Sequence, residues 1–367
     1  MATTTTGKED LDEDTQALRR PDGLWFEDGN IVLQAEDTQF RVYHGLLAAC
    51  SPVFQDMMAL PRPPDSDSEL VEGCTFVQLY DSAADTTVFL RALFYTSFFP
   101  PFPIKADFRT VLGCLRLGHK YEVDFLRRRA LIHLSSACDT QLDRRDRSTK
   151  ALVDPDSAHA LDIVSIHWAA KASWTVTSII IPIIQLAREV DALWLLPDAF
   201  YNLSGAFHNA FGPVAQSVAE EVFRGVDYGG RIAHLSPHDQ ESLLGGHAVQ
   251  SKSTNDVLEF LSLPTDIPGC ASSESCARER FKAIGASRAR VQAFASRPLS
   301  VWGPVQWQLL KDLCPTCRSA LETKHKAARQ AFWDKLPEMY GLPSWDELEK
   351  MKIAAIGKDW LSQNGGS

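Results

Sequence analysis

Between Asn30 and Met58 the hydrophobic pattern of the chain changes period twice. Ile31, Leu33 and Ala35 alternate with Val32 and Gln34, and Thr38, Phe40 and Val42 alternate with Gln39 and Arg41. That period of two predicts two short strands about a Glu36-Asp37 turn. Helical spacing follows from His44 to about Cys50, and Ser51-Pro52 restarts a second helix with serine as N-cap and proline in its first position. Leu60 to Cys74, rich in Pro, Asp and Ser, reads as an exposed loop, and Cys74 to Tyr80 (CTFVQLY) as a strand. Asp85–Tyr95, Phe108–Lys120 and Val123–Leu134 then read as helices, with Val111, Leu112, Leu115 and Gly118 sharing one face of the second. Strands first and helices after them predict a small sheet capped by a helical cluster, an α+β arrangement.

A polar stretch, Asp139 to Ser157, is the clearest boundary, and helical periods dominate beyond it. Pro182 through Leu196 keeps Ile183, Leu186, Ala187, Val190 and Leu193-Trp194 on one face, and Leu196-Pro197-Asp198 opens another helix through about Ala210. Ser236-Pro237-His238-Asp239 is a helix start, which Gly245-Gly246 is expected to close. Ser344-Trp345-Asp346-Glu347 is a capping box for a last helix reaching about Trp360. The pattern divides the chain into an acidic disordered tail (1–20), an α+β domain (21–138), a linker (139–157), a helical region (158–265) and a Cys- and Trp-rich helical region (266–367).

Composition narrows the class. At 367 residues, 45% hydrophobic and 23% charged, the chain is an ordinary globular protein with room for two or three domains. A net charge of −10 argues against a generic nucleic-acid binder. The start is polar, without an apolar signal core, and the longest apolar run, Ile179–Ile184, is far too short to span a bilayer. The expected location is therefore the cytoplasm or nucleus, where the eight cysteines read as thiols or metal ligands rather than disulfides.

Three segments, "DGLWFEDGNIVLQAEDTQFRVYHGLLAACSPVFQDMM", "LRALFYTSFFP" (with Ser97 where glycine is usual) and "VLGCLRLGHKYEVDFLRRRALIHL", resemble in order the opening, middle helix and closing helix pair of BTB/POZ domains. "LAREVDALWLLPDAFYNLS" and "FWDKLPEMYGLPSWDELEK" resemble the C-terminal helical extension of fungal BTB proteins. The resemblance implies an α+β BTB/POZ domain followed by a mainly α-helical C-terminal region. It also implies a non-enzymatic protein-binding role, as a scaffold or as an adaptor that self-associates and docks on a cullin scaffold of a ubiquitin ligase. The cullin-facing surface of such domains lies near the middle helix and the segment after it. Here that segment holds the Phe-Pro run from Phe98 to Pro103, so Phe98, Phe99 and Phe102 are candidate protein-binding residues on an exposed apolar patch.

Two constellations remain. Cys270-x5-Cys276 and Cys314-Pro-Thr-Cys317 offer two thiolate pairs of the kind a structural zinc requires, although the first spacer is wide and buried unligated thiols are the alternative. From Cys270 to Lys335 there are twelve Lys/Arg against five Asp/Glu. With Trp302 and Trp307 nearby, this excess keeps open a BTB-containing chromatin or nucleic-acid regulator, against the plainer reading of a solvated helix face. His44, beside Tyr43 and near Cys50, reads as structural rather than catalytic, and no nucleotide-binding or metalloprotease motif is present.

Overall fold

The computed structural model describes residues 18–60, 70–150, 168–169, 175–208, 213–228, 230–262 and 267–358. The expected strands form: β1 (Ile31–Ala35) and β2 (Thr38–Val42) pair antiparallel about Glu36-Asp37. Glu36 sits in the left-handed region (φ 51°), and its carboxylate accepts a hydrogen bond from Ala83 N (2.9 Å) at the start of the middle helix. Helices α1 (His44–Cys50) and α2 (Pro52–Ala59) follow. The Ser51 hydroxyl accepts from Phe54 N (3.1 Å) and donates to Tyr121 O, so one N-cap also ties α2 to a distant helix end. A short strand inside the expected loop, β3 (Leu70–Val71), pairs with β4 (Cys74–Leu79), and β4 lies parallel to β1. The sheet order is β2-β1-β4-β3. Arg19 and Trp25 run beside β2, with Arg19 N donating to Asp37 O (2.8 Å).

Helix α3 (Ala83–Phe94) contacts β1, and α4 (Phe108–Lys120) and α5 (Asp124–Ser135) stack in turn on α3 and on each other. Ser82 and Asp107 cap the first two through Asp85 N and Thr110 N. A two-residue strand, β5 (Ala106–Asp107), precedes α4 and pairs parallel with β6 (Trp168–Ala169). The stretch read as a linker contains a helix, α6 (Leu142–Lys150), with Leu142 and Arg145 buried. Polar composition misleads there because Arg145 is paired internally with Asp198 (2.8 Å).

The C-terminal region is mainly helical, as expected. Its elements are α7 (Val176–Glu189), α8 (Leu196–His208), α9 (Pro213–Arg224), a hairpin of β7 (Val226–Asp227) and β8 (Ile232–Ala233), α10 (Pro237–Leu258), α11 (Ser273–Ala293), α12 (Pro304–Trp307), α13 (Pro315–Met339) and α14 (Trp345–Ile356). Three expectations need correction. First, α7 starts at Val176, capped by the Thr175 hydroxyl on Ser178 N (3.2 Å), and runs through Pro182. Burial of Ile179–Ile181 and of Ile183 and Ile184 outweighs the proline penalty of about 3 kcal/mol. Second, this helix ends at Glu189, where Asp191 turns left-handed (φ 56°) before Leu196 restarts. Third, α10 does not end at Gly245-Gly246 but continues to Leu258. A Cβ on Gly246 would lie 2.1 Å from the Tyr340 ring, so this glycine admits a neighbouring helix rather than closing its own. The last helix has the expected capping box and ends at Ile356 on Gly357 (φ 86°); Trp360 and Ala210, the expected helix ends, lie outside the described residues.

Besides the β5–β6 pairing, the two regions touch along two further fronts. Asp85, on α3, accepts from Arg116 of α4 (2.8 Å) and from Arg231 of the β7–β8 connection, and Arg116 also reaches Glu189 and Tyr228. At the other front α14 packs on α5: Arg128 donates to Ile356 O (2.8 Å), and fully buried Lys352 donates to Thr140, whose hydroxyl donates to Glu349 (2.6 Å).

Candidate binding surface and four-cysteine cluster

The Phe98–Pro103 run leaves α3 and returns to β5, and it is less exposed than its composition suggests. Phe99 is 1% exposed and stacks on His133 of α5 (centroids 5.3 Å). His133 Nε2 sits 3.0 Å from Pro100 O, Phe102 meets the edge of the same ring, and Arg129 donates to Phe99 O. Burial pushes the His133 pKa down, which keeps the ring neutral against these aromatic faces. Phe98 is half-buried under Arg91. Phe99 therefore belongs to the core and not to an exposed patch: an aromatic residue beside a helix of the same domain gains more from burial than from solvent contact. The surface that does remain is formed by Tyr95 (40% exposed), Thr96, Ser97, Pro101, Pro103 and Ile104 (60% exposed), with Phe98 and Phe102 at its margin. Periodicity could not have found Ile104, which follows the run rather than lying in it.

The four C-terminal cysteines converge. Their Sγ atoms all lie within 4.8 Å of one another, and those of Cys270 and Cys314 are 3.8 Å apart. Cys314 is the N-cap of α13 and accepts from Cys317 N (3.4 Å), and Cys314 N donates to Cys276 Sγ (3.4 Å). Backbone N–H groups of Cys317 and Ala271 pull the Cys314 thiol down to about 6, whereas burial pushes Cys317 up. Cys276 and Cys317 are buried, and Cys270 and Cys314 are half-buried. His325, on α13 beyond Cys317, is occupied elsewhere: its ring packs on Phe260 (4.8 Å) and Trp307 (5.6 Å), and burial lowers its pKa to about 4.

The basic segment is largely spent on structure. Arg280 is buried and donates to Leu261 O, Arg290 donates to Ser300 O and Val301 O, and Lys282 pairs with Glu279. Trp302 is 2% exposed, so it offers no platform for stacking a base. His44 is exposed, with its backbone N–H on Asn30 Oδ1 (2.9 Å), and Tyr43 donates to Asp28 (2.6 Å). Among the described residues, no helix is long and apolar enough to cross a membrane.

Comparison with known proteins agrees with the geometry of the first region. Residues 26–136 match the family model of the BTB/POZ domain, and the match ends within one residue of α5. No curated protein and no solved structure matches the chain. Residues 26–136 therefore form a BTB/POZ domain, a fold of protein–protein interaction built here on the four-stranded sheet with α3, α4 and α5, and a mainly helical C-terminal region follows it.

Proposed function

We propose that the chain is a non-enzymatic adaptor of the kind found among fungal BTB proteins. In this reading the BTB/POZ domain docks on a cullin scaffold in the cytoplasm or nucleus, and the region beyond residue 158 holds the substrate. The observation that carries the reading is which face of the domain stays uncovered. The C-terminal region lies over α4 through Arg116 and over α5 through α14, yet leaves Tyr95–Ser97, Pro101, Pro103 and Ile104 open beside the middle helix. Apolar side chains in an otherwise polar rim suit a protein partner. The four-cysteine cluster enters as a structural centre, because four thiolates would fill every position of a tetrahedral zinc and leave none for a substrate.

Affinity purification of the full chain from its cells, with partners identified by mass spectrometry, tests the proposal. A cullin should be retained, and Ile104→Glu should reduce it at least about tenfold, equivalent to ~1.4 kcal/mol. Leu244→Glu, at an exposed position of α10, should leave it unchanged. Retention of another copy of the chain without a cullin would leave a self-associating scaffold and sink the adaptor mechanism.

A further inference from the structure

We propose that Cys270, Cys276, Cys314 and Cys317 together bind one Zn2+ ion, which clamps the start of α11 to the start of α13 and thereby holds the tryptophan cluster between them. Tetrahedral zinc with bonds of about 2.3 Å to sulfur needs sulfur atoms about 3.8 Å apart. The Cys270–Cys314 pair is at that separation already, and the other pairs, all within 4.8 Å, need only a small inward movement. The cysteines are all free, so no disulfide accounts for their convergence. Among the described residues this is the one group of three or more metal-ligating side chains drawn so close.

The surroundings are built for negative charge. Cys276 lies in the first turn of α11, Cys314 caps α13 and Cys317 lies in its first turn, so two helix N-termini face the cluster. A zinc tetrathiolate carries two net negative charges and is favoured at such positive helix ends. Backbone N–H groups of Cys314 and Cys317 already point at sulfur. Thiols acting only as small hydrophobes give no reason for two pairs separated by 37 residues to meet at two helix starts.

The chain between the pairs carries Trp302 and Trp307, whose rings meet edge to face at 6.0 Å and both pack on Phe260. Arg318, directly after Cys317, lies over the Trp307 ring (4.8 Å) and donates to its carbonyl (3.2 Å). Holding Cys317 therefore holds Arg318 and, through it, the indole. This inference deepens the structural part given to the cysteines in the adaptor reading but does not depend on cullin docking, which rests on residues 26–136, so either can fail without the other.

The test is zinc analysis of the purified full chain, combined with tryptophan fluorescence and thermal melting during chelation and zinc return. About one zinc per chain is expected, and Cys270→Ser and Cys314→Ser should each lower this to under about a tenth. Chelation should red-shift the tryptophan emission and lower Tm, and zinc but not magnesium should reverse both. If the variants fail to fold, Co2+ added to the chelated wild-type chain should give the absorption of a tetrahedral tetrathiolate. A cooperatively folded wild-type chain without zinc, whose melting and fluorescence ignore added zinc and whose Co2+ spectrum lacks thiolate ligation, would overturn the proposal. So would full zinc content in both serine variants.

Discussion

Single residues show where side-chain type and environment disagree. Asp139 follows the BTB/POZ match in a polar stretch and looks solvated in the sequence, yet it is 3% exposed. Burial, with the nearby Asp198 charge adding to it, raises its pKa from 3.8 to about 7, against the opposing pull of Lys352, Arg144 and Arg145. Between about pH 4 and 7 the folded chain thus keeps a proton that the unfolded chain has released, so stability falls as pH rises through that window. Asp139→Asn has no such proton to lose. Its Tm should exceed that of the wild type at pH 8 and approach it at pH 4, as read by thermal melts across pH; parallel curves would show that Asp139 does not titrate in this way. Phe99 and Lys352 teach the same lesson from opposite sides. An aromatic expected at the surface is stacked on His133, and a lysine from an amphipathic helix is buried with Thr140, where desolvation pushes its pKa down.

At the scale of elements, local signals located starts better than stops. Ser51, Ser82, Asp107, Ser236 and Ser344 all cap helices through their own side chains, because a cap is chemistry among residues three apart. The Gly245-Gly246 pair misled for the complementary reason: a glycine needed for a close approach looks in sequence like one needed for a turn. The two glycines make a matched experiment. Gly246→Ala places a methyl group into Tyr340 and should lower stability by about 1–3 kcal/mol. Gly245→Ala meets nothing within 4 Å and should raise it by up to about 1 kcal/mol, both read by chemical denaturation. Equal effects would mean that α10 does not pack on Tyr340 as described.

For the whole molecule, the interaction domain and the helical region share their packing. Arg231 and Arg116 meet on Asp85, Arg329 of α13 holds Asp146 of α6 by two hydrogen bonds (2.6 and 2.7 Å), and α14 seals α5. Trp345 stacks on Trp333 (4.9 Å) and donates to its carbonyl, which links α14 to α13. Ending the chain after Ser344 should therefore loosen the BTB/POZ domain itself on one side. Amide hydrogen exchange in Asp124–Ser135 should accelerate at least about tenfold while β1 and β2 change little. Unchanged exchange in α5 would show that the final helix is an appendage.

Local pattern was enough to locate the strand pair at Ile31–Val42, the helices behind it, most helix starts, and through them the α+β domain followed by helices. These are consequences of period and capping, which act over a few neighbouring residues. Long-range packing puts Phe99 inside, buries Arg145 and Arg280 instead of leaving them solvated, carries α10 through its glycines and brings four cysteines from two distant pairs together. Each of those depends on which surface arrives from elsewhere in the chain. Burial, electrostatic pairing and metal-ligand geometry are properties of that encounter, and no local pattern encodes the encounter.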